Sequence, residues 1–482
     1  MNRIALLGLT ASGLVLSACA VGPNYHRPAA MPDQVAMPEA YKEAEGWTQA
    51  EPSDAVTRQD WWKVFNDPVL DDLEAKVVVS NQNLAQAEAA YRQAKALLDQ
   101  QRASLFPSVS LTGSGVRSLS PTGFTSSAGA VSIGAKPFNT YTTGLGLTWD
   151  VDLWGRIRRG IEAAHATAQA SAGDLANAAL SAQALVAADY FQLREADEEK
   201  RLIDQTVKGY VDSLRIAQGR FDSGVGARSD VLSAQTQLES AQGSAVDLLR
   251  TRAQLEHAIA VLVGEAPAHL TIAPANWSPA VPAVPIAMPS TLLQRRPDIA
   301  AAERRMKAAN AQIGVNVAGY FPSLTVSGQY GFATAALDQL LNSANNTWSI
   351  GASAAETVFD AGATSAKVRG AHAAYDASVA NYRQTVLAAF AQVEDNIAAL
   401  RVLEAEYALD EASSRHADES EDLTNKQYQA GQVAFTDVVV AQNTALTARR
   451  TALQTARTRL VAMVDLVQAL GGGWSATQLA QK

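Results

Sequence analysis

One cysteine, six histidines and a scatter of carboxylates are the residues of this chain able to do chemistry. Cys19 stands alone, so no internal disulfide and no cysteine-based zinc or iron–sulfur site can form. His26, His165, His257, His269, His372 and His416 never fall three or four residues apart, so no helix presents a histidine pair to a metal. The chain has no Gly-x-Ser-x-Gly nucleophile elbow, no Walker A glycine loop and no dinucleotide fingerprint. Acids such as Glu239 and Glu394 lie on helical stretches, where a solvated face is their ordinary role. The pattern argues against an enzyme, and against a protein that draws energy from a nucleotide.

The chemistry left is at the N-terminus. Met1-Asn2-Arg3 is basic, and Ile4 to Leu16 is an apolar run of about thirteen residues, the length of a signal h-region and too short to span a bilayer. Leu16-Ser17-Ala18-Cys19 then resembles the lipobox of bacterial lipoproteins. That resemblance implies cleavage of residues 1–18, a diacylglycerol on the Cys19 thiol and an acylated new N-terminus. Two or three acyl chains anchor stably where one is marginal. Ala20, rather than Asp, follows the cysteine, which implies the outer membrane. No later apolar stretch approaches eighteen residues, so any crossing of a membrane must use a closed barrel.

The 482 residues carry a formal charge of −9, a poor match to nucleic acid. Aromatics make up only 6%, while Ala and Gln recur throughout, which suits helices packed closely on small side chains. The chain is also written twice. Arg220-Phe221-Asp222-Ser223-Gly224 is answered by Gln427-Tyr428-Gln429-Ala430-Gly431, at an offset of 207. The same offset pairs Gly155 with Gly362, Asp230 with Asp437, Arg252 with Arg459 and Gly264 with Gly471. Phe106-Pro107-Ser108 matches Phe321-Pro322-Ser323 at 215, so eight residues differ between Pro107 and Gly155 and mark a loop.

Each half reads helix, strand, loop, strand, long helix, turn, helix. Asp71–Leu105 and Asp298–Val317 are expected as helices. Val109, Leu111 and Val116 mark the first strand, and Leu145, Leu147, Trp149, Val151 and Leu153 the second. Leu324, Val326, Tyr330 and Phe332 mark the third; Trp348 to Val358 mark the fourth, interrupted by Glu356. Such alternation fits a strand with one lipid face and one lumen face, or a soluble hairpin. Gly155 to Asp222 and Gly362 to Gln429 contain no proline, and each predicts a helix of roughly 100 Å. The returning helices, from Ser229 and Thr436, show a heptad: Val231, Ala234, Leu238, Ala241, Ala245, Leu248, Leu255, Ile259 and Leu262, interrupted by Arg252. The second repeats it from Val438 to Ala469, with Thr455 and Arg459 as exceptions. Four strands cannot close a barrel in lipid, so they must be pooled between chains: two copies for eight strands or three for twelve.

Four sequence blocks make this chain resemble the TolC-like outer-membrane efflux factors, in their lipoprotein (NodT- or OprM-type) branch. They are Cys19 with Val21-Gly22-Pro23-Asn24-Tyr25-His26-Arg27-Pro28; Trp61-Trp62-Lys63-Val64-Phe65-Asn66-Asp67-Pro68-Val69-Leu70; Leu292-Leu293-Gln294-Arg295-Arg296-Pro297-Asp298-Ile299 with Ala302-Glu303; and Ala318-Gly319-Tyr320-Phe321-Pro322-Ser323-Leu324. The resemblance implies an α+β membrane protein: a homotrimer with a twelve-stranded outer-membrane β-barrel, four strands per chain, continued by a long periplasmic α-helical coiled-coil barrel. It implies residues 19–70 as a lipid-anchored, equatorial segment, 71–270 and 297–473 as two repeats, 271–296 as a linker and 474–482 as a tail. Pro297-Asp298 reads locally as a helix start, and Trp61 and Trp62 as packing residues.

The turns Gly224–Asp230 and Gly431–Asp437 match the family's periplasmic tip, where the duct closes. Asp230 and Asp437 match acidic gate positions and Tyr428 an aromatic one, and Arg228 is placed to pair with an aspartate of a neighbouring hairpin. Val433 replaces the family's second-hairpin arginine, and Val440 a further acidic position. Three aspartates around an axis would favour cations; the local alternative is that both aspartates cap the following helices. The implied function is a passive duct for small molecules, drugs or toxic compounds among them, working with a periplasmic adaptor and an inner-membrane RND pump. A duct for a type I ABC polypeptide exporter is the alternative. No cofactor, metal or nucleic acid is implied; the lipid on Cys19 is the one covalent addition.

Overall fold

The computed structural model describes residues 20–31, 38, 40–43, 58–119, 123–126, 129–132, 137–277, 280–282, 295–472 and 474. The expected leader, Cys19 and residues 475–482 lie outside the described residues. The chain forms two compact units. One is built from residues 1–28, 92–169 and 303–380, the other from 29–91, 170–302 and 381–482.

The first unit holds the strands β1 (Ser108–Ser118), β4 (Phe138–Val151), β5 (Ser323–Thr334) and β6 (Asn346–Ala355), paired antiparallel in the order β1-β4-β5-β6. Two further short strands, β2 (Gly123–Ser126) and β3 (Gly129–Ser132), pair with each other inside the loop between β1 and β4. That loop spans residues 119–137 against 335–345 in the second half, so it contains the whole eight-residue difference between the repeats. Leu111 faces Leu145, Leu145 faces Tyr330, and Tyr330 faces Trp348. Because side chains alternate, these share one apolar face with Val109, Leu147, Trp149, Val326 and Ile350. Ser110, Thr112, Thr148, Asp150, Thr325 and Ser327 fall on the other.

Two strand expectations change. Val116 pairs with Thr140 in an unbroken register, so it belongs to the polar face, not with Val109 and Leu111. β6 ends at Ala355, before Val358, because the next apolar-face position would be the carboxylate of Glu356. β4 likewise stops at Val151. Asp152 then turns back to accept from the N–H groups of Ile157 and Arg158 at 3.0 and 2.9 Å, which starts the first long helix.

The helical elements are α1 (Pro68–Ser80), α2 (Gln82–Ala103), α3 (Arg156–Asp222), α4 (Arg228–Leu262), α5 (Pro297–Val317), α6 (Ala363–Gln429) and α7 (Phe435–Ala469). α3 and α6 have 67 residues each and α4 and α7 have 35 each, so the repeat seen in sequence is a repeat of elements. Among the described residues no helix is long and apolar enough to cross a membrane. The single helix expected over Asp71–Leu105 is two. Asn81 breaks it by accepting from the Leu84 N–H at 3.0 Å and donating to the Leu262 carbonyl at 2.7 Å, far away in sequence.

In the second unit, the heptad residues Val231, Ala234, Ala241, Ala245 and Ile259 are buried, as are Val438, Ala445, Ala462, Leu466 and Ala469. α3 lies against α7 through Glu195–Arg457 at 3.0 Å and Glu199–Arg450 at 2.6 Å. The heptad exceptions have distinct roles. Arg252 bonds Asp197 at 2.7 Å, Glu256 and the Ile272 carbonyl, and so fastens the inter-repeat linker. Arg459 lies over the Tyr407 ring at 5.2 Å. Trp61 packs edge-on to Trp62 and Phe65, and Phe65 to Phe191, a packing cluster as expected.

Glu74 of α1 is fully buried, and neither carboxylate oxygen has a hydrogen-bond partner among the described residues. Burial, with the nearby Asp71 charge, pushes its pKa up to about 9. The unfolded chain ionises Glu74 near pH 4.5 and the folded chain near 9. Its stabilising share is therefore complete below pH 4.5 and lost as pH rises through that window. Glu74→Gln is expected to stabilise the protein at pH 7 and above, by on the order of 2–3 kcal/mol, and to change little at pH 4. Thermal melts across pH check this; an equal shift at both pH values contradicts it.

Candidate functional site

The two helix hairpins turn through Gly224 and Gly431, both in the left-handed region with φ of 75° and 72°. Each turn is closed by backbone bonds onto the last helical carbonyls: Gly226 N–H to Arg220 in the first, Gln432 N–H to Gln427 in the second. Beneath the turns a small core joins both hairpins, made of Ala217, Val231, Ala234, Tyr428, Phe435 and Val438.

Tyr428 is its centre. It is 4% exposed, its ring sits 5.2 Å from Phe435, and its hydroxyl is buried without a partner among the described residues. Burial first, and then the Asp230 charge, raise its pKa, against a lowering by Arg220. The Arg220 guanidinium stacks over the Tyr428 ring at 4.9 Å and donates to the Tyr428 carbonyl at 3.2 Å, which ties the first hairpin to the second.

Of the residues singled out in the sequence, the fold buries Tyr428 in the core that joins the hairpins. Asp437 accepts from the Ala434 N–H at 3.1 Å and so caps α7, one of its two expected roles. Asp230 lies in the first turn of α4, whose N-cap position is Ala227, and among the described residues no side-chain cap bond is seen there. Arg228 lies over the Phe221 ring at 5.6 Å, and no ion pair to an aspartate is seen for it among the described residues. At the turns, beyond the α3–α7 ion pairs, the arginine that bridges the hairpins within the chain is Arg220. The reading of single residues missed it, although the repeat pairs its neighbour Phe221 with Tyr428. Val433 packs against the small core, surroundings suited to an apolar side chain, whereas Val440 is exposed.

The family model for outer membrane efflux proteins matches residues 75–265 and 288–472. The chain belongs to the outer membrane efflux protein family. The pyoverdine export outer membrane protein OpmQ of Pseudomonas aeruginosa is 30% identical over 482 residues, with 99% of each chain covered. The toluene efflux pump outer membrane protein TtgC of Pseudomonas putida is 29% identical over 473 residues, 98% of this chain and 96% of that one. The solved outer-membrane channel OprN matches with a TM-score of 0.82 at 30% identity, over 95% of this chain and 100% of that one. The protein is thus an efflux component of the bacterial outer membrane that reaches into the periplasm, and a channel protein rather than an enzyme. Its fold class is the α+β class of these channels, with four strands per chain supplying a trimeric twelve-stranded barrel.

Proposed function

We propose that this chain is the outer-membrane duct of a tripartite efflux pump and carries small molecules, drugs and toxic compounds among them, for a periplasmic adaptor and an RND pump. The observation that carries this reading is the sheet register, which puts an apolar face and a Ser/Thr/Gly face on one four-stranded sheet with two unpaired edges. Three copies joined at those edges form a barrel with a polar lumen. The relatives named for toluene efflux and pyoverdine export support small-molecule cargo. Crosslinking in cells followed by affinity capture tests it. An RND pump with its adaptor is the expected capture; an ABC exporter would replace this reading with polypeptide secretion.

The same reading assigns the closure of the duct to Tyr428, Asp230, Asp437 and Arg228, with Arg220 as the bridge. It assigns a lipid to Cys19. Ala20, the next residue, lies against Gly155, where a Cβ would come within 2.8 Å of it, and the Val21 N–H donates to the Trp154 carbonyl at 3.0 Å. Trp154 stacks on Phe321 at 4.8 Å beside the start of β5, as aromatics at a membrane interface do. Acyl chains on Cys19 would enter the bilayer at that level. Cys19→Ala is expected to abolish palmitate labelling while the strands still assemble; labelling that persists in the variant contradicts the assignment.

A further inference from the structure

Among its described residues, the compact unit that holds the strands contains 13 of the chain's 39 Lys and Arg but only 9 of its 48 Asp and Glu. In an otherwise acidic protein, positive charge is gathered next to the membrane sheet. Helix geometry says which way part of it points. Gln100 of α2 and Ser104 in the turn that follows it, and Arg156, Gly160, Ala163 and Thr167 of α3, line one cavity of about 680 Å³ with Ser108, Thr148 and Asp150 from the polar strand face. At about 100° per residue, a side chain midway between i and i+4 points some 160° away from both. Arg102, Arg158 and His165 each occupy that midway position. They face away from the lumen wall, on the side of the apolar strand face.

We propose that the outward faces of α2, α3 and α5 beside the strands form a binding surface for anionic phospholipid headgroups. Arg102 lies four residues before Phe106 and Arg158 four after Trp154, which puts both arginines near the aromatic level in sequence. Lys307 of α5 is near enough for its charge to act on His165 of α3. Burial first, and then the charges of Lys307, Arg102 and Arg304, hold the His165 pKa below its ordinary value. Carboxylates are present too: Asp99 is 3.3 Å from Arg102, Asp152 is 3.2 Å from Arg158, Glu162 is 2.8 Å from Arg159 and Glu303 is 3.1 Å from Arg304. Lys307 has no carboxylate within ion-pair distance among the described residues. The positive charge in excess is what a phosphodiester would meet.

The inference rests on the outer-membrane placement and not on the pump or cargo. Its test is the melting temperature of the purified trimer in nanodiscs of phosphatidylcholine alone and with added phosphatidylglycerol. The anionic lipid is expected to raise the melting temperature by roughly 3 °C, and the rise shrinks in high salt. R102Q and K307Q together are expected to remove the rise and leave the phosphatidylcholine value unchanged. Native mass spectrometry is expected to find phosphatidylglycerol retained by the wild type and lost from the double variant. Equal melting in both lipids, or a full rise in the double variant, overturns the proposal. So does inorganic phosphate if it reproduces the rise in phosphatidylcholine discs, because the site would then be one for a free anion.

Discussion

Tyr428→Ala is expected to make cells take up a bulky polar dye that the intact outer membrane excludes. The side chain is the largest in the small core under both turns, and it meets Phe435 from its own hairpin and Arg220 from the other. Truncating a buried aromatic ring costs about 3–5 kcal/mol. If about 3 kcal/mol of that falls on the closed arrangement, the closed-to-open ratio drops by on the order of a hundred-fold. Tyr428→Phe separates packing from hydrogen bonding. The hydroxyl is buried without a partner among the described residues, so its removal is expected to leave dye exclusion intact. Exclusion that survives Tyr428→Ala would mean the small core does not hold the duct shut. Leakage from Tyr428→Phe equal to that of the alanine variant would show that the hydroxyl bonds a neighbouring copy.

The largest expected loss of stability comes from two glycines in matching places. Gly264 and Gly471 follow α4 and α7, with φ of 73° and 92°. An added Cβ would stand 2.0 Å from the Ser80 carbonyl oxygen at the first and 2.2 Å from the Arg295 carbonyl oxygen at the second. The left-handed conformation alone costs a side-chain-bearing residue about 1–2 kcal/mol. The contact adds more, because backbone on both sides must move. Gly264→Ala and Gly471→Ala are each expected to cost at least about 3 kcal/mol and to lower the melting temperature by several degrees or abolish the folded trimer. Melting within a degree of wild type for either would mean that these turns yield freely.

What the sequence made legible was whatever depends on period. Leu145, Leu147 and Trp149 announce a strand, proline-free runs announce α3 and α6, and the offset of 207 announces that both halves share one plan. The features it hid depend on partners distant in the chain. Asn81 breaks a helix because it reaches Leu262, which no local pattern states. Val116 looks like part of an apolar stripe, and only the register with β4 puts it on the polar face. The β2–β3 hairpin sits in a Gly/Ser/Thr stretch with too few apolar residues to show alternation. At the tip the aspartates and Tyr428 were visible through a family pattern. Arg220 was not, because its stacking on a ring 208 residues away follows from how two hairpins meet.

The account's central claim is that this protein is a water-filled duct. Single-channel recording of the purified trimer in a planar bilayer tests it most directly. The account predicts discrete conductance steps, with a preference for cations if three copies of Asp230 and Asp437 ring the narrow end. A folded, trimeric preparation that inserts into the bilayer and passes no current would contradict it.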